Sequence, residues 1–318
     1  MGTYARDQFR SRVNLKYSKL HQAVPKILGI LWVLQQKLGL PSKFRAVLGC
    51  LLPAAECSQG DRAELIELLK ANLKSFVTPT GKMKVMLAVN PVVRPEGAGV
   101  FLAYKDGFKE QINDLRTGIL GIGFRNSNLL ISEKGVISPS ARHTSSLGFY
   151  SLVQTAKEQI GSAVNEVQLA SIIGEAGFDV NEMILERFLK SINRANRLQN
   201  VIEAIDRAQR MYWYQLLSWF ELVGINSFDA VVFYGGTVEY FATKLKEHFD
   251  FCQSVIWHSN VAIPQDLIDS IVVEKEQTAL KVRFVDCWAF LHYLCAPQQR
   301  YQDFGLHKLT INKEEVYA

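Results

Sequence analysis

"GILGIGFRNSN", Gly118–Asn128, is the stretch on which the reading of this chain turns. A short apolar run meets two glycines, Gly121 and Gly123, and then the polar residues Arg125, Asn126, Ser127 and Asn128. Glycine lets a backbone approach a ligand closely. The N–H groups of Arg125–Ser127 are spaced to ring a phosphate, the side chains of Asn126 and Ser127 add donors, and Arg125 adds charge. Asparagine and serine equally favour a tight turn between two strands. Taken alone, the stretch is either a phosphate-facing loop or a plain hairpin, and it lacks the carboxylate that metal-assisted phosphate turns carry.

The surrounding chain has 318 residues, enough for two domains or one large one. It is 48% hydrophobic and 21% charged, which is ordinary for a soluble globular protein. The net charge of +5 does not by itself imply nucleic acid. Basic residues gather only near the start, at Arg6, Arg10, Arg12, Lys16 and Lys19, with Tyr4, Phe9 and Tyr17 among them. That cluster reads as a solvated helix face before it reads as a nucleic-acid arm. The five cysteines include no zinc-ribbon spacing, and Cys50, Cys287 and Cys295 sit in apolar surroundings, so free buried thiols in a reducing cytoplasm are expected. Arg6, Asp7 and Arg10 interrupt any signal-like start. The most apolar run, Ala23–Leu34, contains Pro25 and Lys26 and falls short of the roughly 20 residues a span needs. A soluble, cytoplasmic protein with no membrane partner is the expectation.

Apolar residues at Leu20, Val24, Ile27, Leu28, Leu31, Leu34 and Leu38 predict a helix over 18–38, stopped by Gly39 and Pro41. Phe44–Pro53 reads as one buried strand, 61–74 as a helix starting at Asp61, and Lys84–Asn90 as a further strand. Strands then alternate with helices, the pattern of an α/β domain. Residues 117–148 differ. Strands near 118–123 and 128–132 flank a turn at Phe124–Ser127, and a third strand is expected at 135–137, giving a β-meander. Helices fill 149–223, with 182–220 the longest periodic segment. "DAVVFYGGTVEYFATKLKEHF", Asp229–Phe249, reads as buried strand, double glycine, helix. A strand at Ser254–Ser259 and a helix around Ala279–Leu294 come next, and the tail after Pro297 is polar.

Two further stretches carry chemistry. At Gly235-Gly236-Thr237 a strand turns into a helix whose first N–H groups attract anions, with Thr237 placed to cap it. Its bland counterpart is a structural strand-to-helix turn. In "RPEGAG", Arg94–Gly99, Glu96 stands at a strand end between proline and glycine, where it can position a water for attack on phosphate. Its bland counterpart is a surface-loop glutamate.

The order of these three features resembles that of the actin-like ATPase superfamily, most nearly the ParM/StbA-type bacterial actin-like proteins. Glu96 matches the family's "PE" glutamate, Gly121–Asn128 its second phosphate loop, and Gly235-Gly236-Thr237 its adenosine motif. "SSLGFYSL", Ser145–Leu152, is similar to the family's segment after that loop, and "VRFVDCWAFLHYL" is similar to the closing helix. The resemblance covers roughly 40–295. It implies an actin-like, ribonuclease H-like α/β fold of two domains with a nucleotide cleft between them. The domains implied are 1–115, and 116–295 with a helical insert at about 165–222 and a last helix returning to the first domain. Residues 296–318 form a polar tail. It implies ATP, or another purine nucleotide, with Mg2+, Glu96 as the water-positioning residue, and contacts from Gly121, Gly123, Arg125, Asn126, Ser127, Gly235, Gly236 and Thr237. It also implies self-association into filaments, plasmid segregation or a cytoskeletal role, and an adaptor or DNA-bound partner.

The chain departs from the family pattern twice. Gly121 and Asn128 replace the loop aspartates that organise Mg2+ through water, a change expected to weaken metal-assisted hydrolysis. The family's first phosphate hairpin has no counterpart before Phe44, so the first domain is expected to be incomplete. Two functions stand: an actin-like protein that binds and hydrolyses ATP and polymerises, or a hydrolysis-deficient relative acting through partners. A small-molecule kinase ranks last, because no base aspartate presents itself.

Overall fold

The computed structural model describes residues 18–108, 114–161, 165–191, 197–257 and 277–295. Most of the basic cluster, residues 258–259 and the tail after Pro297 lie outside the described residues. The described residues fall into two compact units, those within 1–95 together with 291–295, and those within 96–290.

In the first unit, helix α1 (Lys19–Leu38) begins at Ser18, whose hydroxyl accepts the His21 N–H. It ends at Gly39 in the left-handed conformation, φ 63°. Leu20, Val24 and Leu31 recur at helical spacing and are buried. A second helix, α2 (Gln59–Leu73), opens on a capping box. The Asp61 N–H donates to Ser58 Oγ at 3.1 Å, and the Ser58 N–H donates to the Asp61 carboxylate at 2.8 Å. Such a cap contributes about 1 kcal/mol. Leu65, Leu69 and Leu73 line its buried face, each stabilising by about 1.5–3 kcal/mol.

The single strand expected at Phe44–Pro53 is two strands, β1 (Lys43–Ala46) and β2 (Gly49–Leu52). Strand β1 runs parallel to β4 (Gly81–Leu87), which pairs antiparallel with β3 (Phe76–Thr78). Strand β2 runs parallel to β5 (Val92–Pro95) in a separate sheet. Between them the chain changes partner: Ala46 O accepts from Ala88 N–H, and Leu48 O from Val92 N–H. Hydrophobicity alone does not mark a change of partner.

The second unit is built on a five-stranded sheet of order β10-β9-β6-β7-β8. Strands β6 (Arg116–Ile122), β7 (Ser127–Glu133) and β8 (Val136–Ser145) form the expected antiparallel meander. The third strand is ten residues long rather than three. Strands β9 (Ala230–Tyr234) and β10 (Ser254–Trp257) join parallel to β6. This mixed sheet is the ribonuclease H-like α/β arrangement that the resemblance implies. The register sets Gly121 opposite Asn128 on one side and Tyr234 on the other.

Helices α3 (Ala98–Phe108), α4 (Phe149–Ile160), α5 (Glu166–Ala176), α6 (Glu182–Ser191) and α7 (Leu198–Leu222) belong to this unit. The expected single segment 182–220 is thus α6 and α7, with 192–196 outside the described residues. Helix α7 buries Val201, Ile205, Ala208, Tyr212, Leu216 and Trp219, steps of three and four that make one stripe on the sheet core. After β9 come α8 (Gly236–Tyr240) and α9 (Ala242–His248), and α10 (Gln277–Cys295) closes the described chain.

The cysteine expectation is corrected. Cys57 is buried, whereas Cys287 and Cys295 are exposed. Helix α10 is apolar around much of its circumference, so composition did not reveal that Val282, Val285 and Ala289 form the buried face. Among the described residues no helix is long and apolar enough to cross a membrane.

Candidate functional site

The turn between β6 and β7 closes when the Gly123 N–H donates to Asn126 O at 3.0 Å. Gly123 O and Phe124 O accept the N–H groups of Phe149 and Tyr150 at 3.0 and 2.8 Å. Helix N-termini carry orphan donors, and here the hairpin turn satisfies the first two of α4. Gly148 lets the two segments touch, since a Cβ there would stand 2.3 Å from the Arg125 carbonyl carbon. Ser127 is buried and its hydroxyl donates to Leu147 O, which also accepts from the Tyr212 hydroxyl at 3.1 Å. Two expected anion donors, the Gly123 N–H and the Ser127 hydroxyl, are therefore engaged within the fold. Arg125 and Asn126 lie half-buried on the turn.

The double glycine lies against the same end of the sheet. Gly235 has φ 98°, and a Cβ there would meet Ile122 O at 2.5 Å. Only glycine suits both demands. Gly236 faces open space. The Thr237 side chain does not cap α8; buried, it donates to Gly123 O at 2.9 Å. The hairpin turn and the Gly-Gly turn are thus joined directly. Gly235 occupies the cap position of α8, so Thr237 stands inside the first turn and its hydroxyl bonds the hairpin carbonyl instead.

Glu96 comes directly after β5 and reaches the hairpin through a side-chain bond. Asn128 Nδ2 donates to Glu96 Oε2 at 2.7 Å, and Thr144 Oγ1 donates to Asn128 Oδ1 at 2.8 Å. Asn128 is 3% exposed. Next to Glu96, the buried Asp286 of α10 caps the start of α3, its carboxylate accepting the N–H groups of Gly97 at 2.7 Å and Val100 at 3.1 Å. Burial raises its pKa to about 6, with the Glu96 charge pushing the same way and the Gly97, Val100 and Gly99 amides pulling it down.

Tyr234 packs between these groups. A Cβ on Gly121 would stand 2.1 Å from its ring, so Gly121 is needed as room for Tyr234. Its hydroxyl is buried with no hydrogen-bond partner among the described residues. Burial, then the charges of Asp286 and Glu96, raise the phenol well above its ordinary pKa. Neither Tyr234 nor Asp286 was among the residues expected here. The available signals were a tyrosine closing an apolar strand just before Gly235 and the one acidic residue of 277–295.

The arrangement brings Glu96, Gly121, Gly123, Arg125, Asn126, Ser127, Gly235, Gly236 and Thr237 to one end of one sheet. It offers an open glycine, a turn with Arg125, and a carboxylate held by an amide. Among the described residues no group of three or more His, Cys, Asp and Glu could hold a metal ion.

No protein-family model and no curated protein matches the chain. Solved structures do. Apo ParM of psk41 aligns at 13% identity over 88% of this chain and 73% of its own, with a TM-score of 0.49. Bacillus thuringiensis ParM, solved with AMPPNP, aligns at 11% identity over 89% and 76%, with a TM-score of 0.49. A ParM filament from Clostridium botulinum aligns at 15% identity over 63% and 58%, with a TM-score of 0.43. In solved structure the chain is similar to ParM and other actin-like proteins.

Proposed function

We propose that the chain is a nucleotide-binding actin-like protein of ParM/StbA type, in which the turns at Gly123–Ser127 and Gly235–Thr237 receive the phosphates and sugar of ATP or another purine nucleotide. One observation carries this reading: Thr237 Oγ1 bonds Gly123 O at 2.9 Å, so two glycine turns 114 residues apart form a single backbone surface. Glu96, tied to that surface through Asn128, stands where it can position a water. Self-association into filaments, an adaptor or DNA-bound partner and a role in plasmid segregation come from the resemblance and belong to this proposal.

Calorimetric titration of the full chain with ATP, ADP and GTP tests it. Saturable binding that is weakened by Gly236→Ala supports the reading, and heats no larger than dilution for every nucleotide would overturn it. Light scattering at high protein concentration tests self-association. A signal that rises only with nucleotide supports filaments, and a flat trace with and without nucleotide removes them.

A second reading, nucleotide binding without hydrolysis, is favoured by the Glu96–Asn128 bond. An amide N–H already engages the carboxylate that would act on water. Phosphate release from ATP that disappears in Glu96→Ala would exclude it.

A further inference from the structure

The superfamily resemblance implies Mg2+ beside the phosphates, and the donor set at the hairpin does not fit one. Mg2+ requires near-octahedral oxygen ligation at about 2.0–2.1 Å and is held through carboxylates and phosphates. The residue at the loop position is Asn128, and its amide is oriented by chemistry. An ionised carboxylate can only accept, so the Asn128 NH2 must face Glu96 Oε2, 2.7 Å away. Its Oδ1 is thereby turned to Thr144, whose hydroxyl donates to it at 2.8 Å. The positive end of the amide dipole thus points where a cation-organising carboxylate would present negative charge. The neighbouring hydroxyl, on Ser127, is directed at Leu147 O.

Resting on the nucleotide reading above, we infer that Asn128, oriented by Thr144, is a positioning residue that replaces the cation: it holds Glu96 by a hydrogen bond, and nucleotide binding at this hairpin is independent of divalent metal. The buried surroundings favour this arrangement. Glu96 already shares its environment with Asp286 and the Tyr234 hydroxyl. A third carboxylate at 128 would add like charge in a space of low dielectric, and a neutral donor relieves it.

The test compares wild type with Asn128→Asp, using ATP titrations in EDTA and in millimolar Mg2+, and thermal unfolding with Mg2+ alone. Wild type should bind ATP with equal affinity in both buffers, within about threefold, and its unfolding should not respond to Mg2+. Asn128→Asp should unfold earlier in EDTA, recover with Mg2+ alone, and bind ATP at least about tenfold more tightly with Mg2+ than without. If Asn128→Asp does not fold, Asn128→Ala, which releases Glu96 without adding charge, should bind ATP more than about threefold more tightly with Mg2+ than without, and equal affinity in the two buffers overturns the inference. Wild-type ATP binding lost about tenfold or more in EDTA overturns this inference and leaves the nucleotide proposal standing. No binding of any purine nucleotide in either buffer overturns both.

Discussion

The two glycine turns of the second unit look alike in sequence and are built for different reasons. In the hairpin, Gly121 makes room for the Tyr234 ring, and the N–H and C=O of Gly123 bond Asn126, Phe149 and Thr237. Its polar groups hold the turn to α4 and α8. In the second turn, Gly235 is fixed by its φ of 98° and by Ile122 O, yet a Cβ on Gly236 beside it would meet nothing within 4 Å. One turn is a joint, and the other ends in an open position. A glycine-rich stretch therefore signals close approach of something, and in the hairpin that something is the protein itself.

This contrast breaks most sharply at Gly235. Alanine there meets both a disfavoured backbone conformation and a carbonyl oxygen at 2.5 Å. Gly235→Ala should cost about 3 kcal/mol or more in urea unfolding. A near-neutral result would mean that the two turns are not pressed together.

The buried carboxylate of Asp286, beside the Glu96 that Asn128 ties to the hairpin, adds a dependence on pH. Asp286 has its folded pKa raised from 3.8 to about 6 by burial. The folded state therefore binds its proton more tightly than the unfolded state. The stability this proton contributes is fully present below pH 3.8 and is lost as pH rises through about 6. Wild type measured against Asp286→Asn should lose up to about 3 kcal/mol between pH 4 and pH 7. Parallel pH profiles for the two proteins would show that Asp286 titrates normally.

The link between the turns is smaller. Thr237→Val keeps the side-chain volume and removes the donor to Gly123 O. Chemical denaturation should show a loss of about 1 kcal/mol, and a weaker nucleotide affinity if the turns form one surface. The smallest stability effect belongs to Gly236→Ala, expected within about 0.5 kcal/mol of wild type because the position is open and surface changes of this kind are nearly neutral. Its Cβ would project into the proposed ligand space, so nucleotide affinity should fall while the unfolding midpoint stays. A variant that loses stability and keeps affinity would reverse the roles assigned to the two turns.

Legibility tracked the range of the interactions. Helix α1 was readable because leucines at helical spacing and Gly39 act within a few residues. The meander was readable because short apolar runs and the turn chemistry between them act across a hairpin. The split of Phe44–Pro53 into β1 and β2 was not, since no turn residue other than Gly49 interrupts the run and the two halves differ in their partners, β4 and β5. Cys287 and Cys295, expected to be buried, are exposed because helix composition does not say which face meets the core.

The sequence alone determined the α/β class, the place of Glu96 after a strand, and the two glycine turns, because each depends on local backbone preference and periodicity. Only the tertiary structure decided that Thr237 bonds a carbonyl 114 residues away, that Asn128 holds Glu96, and that Asp286 caps α3. Those contacts join residues far apart in the chain, and a buried polar group takes whichever partner the packing brings within about 3 Å.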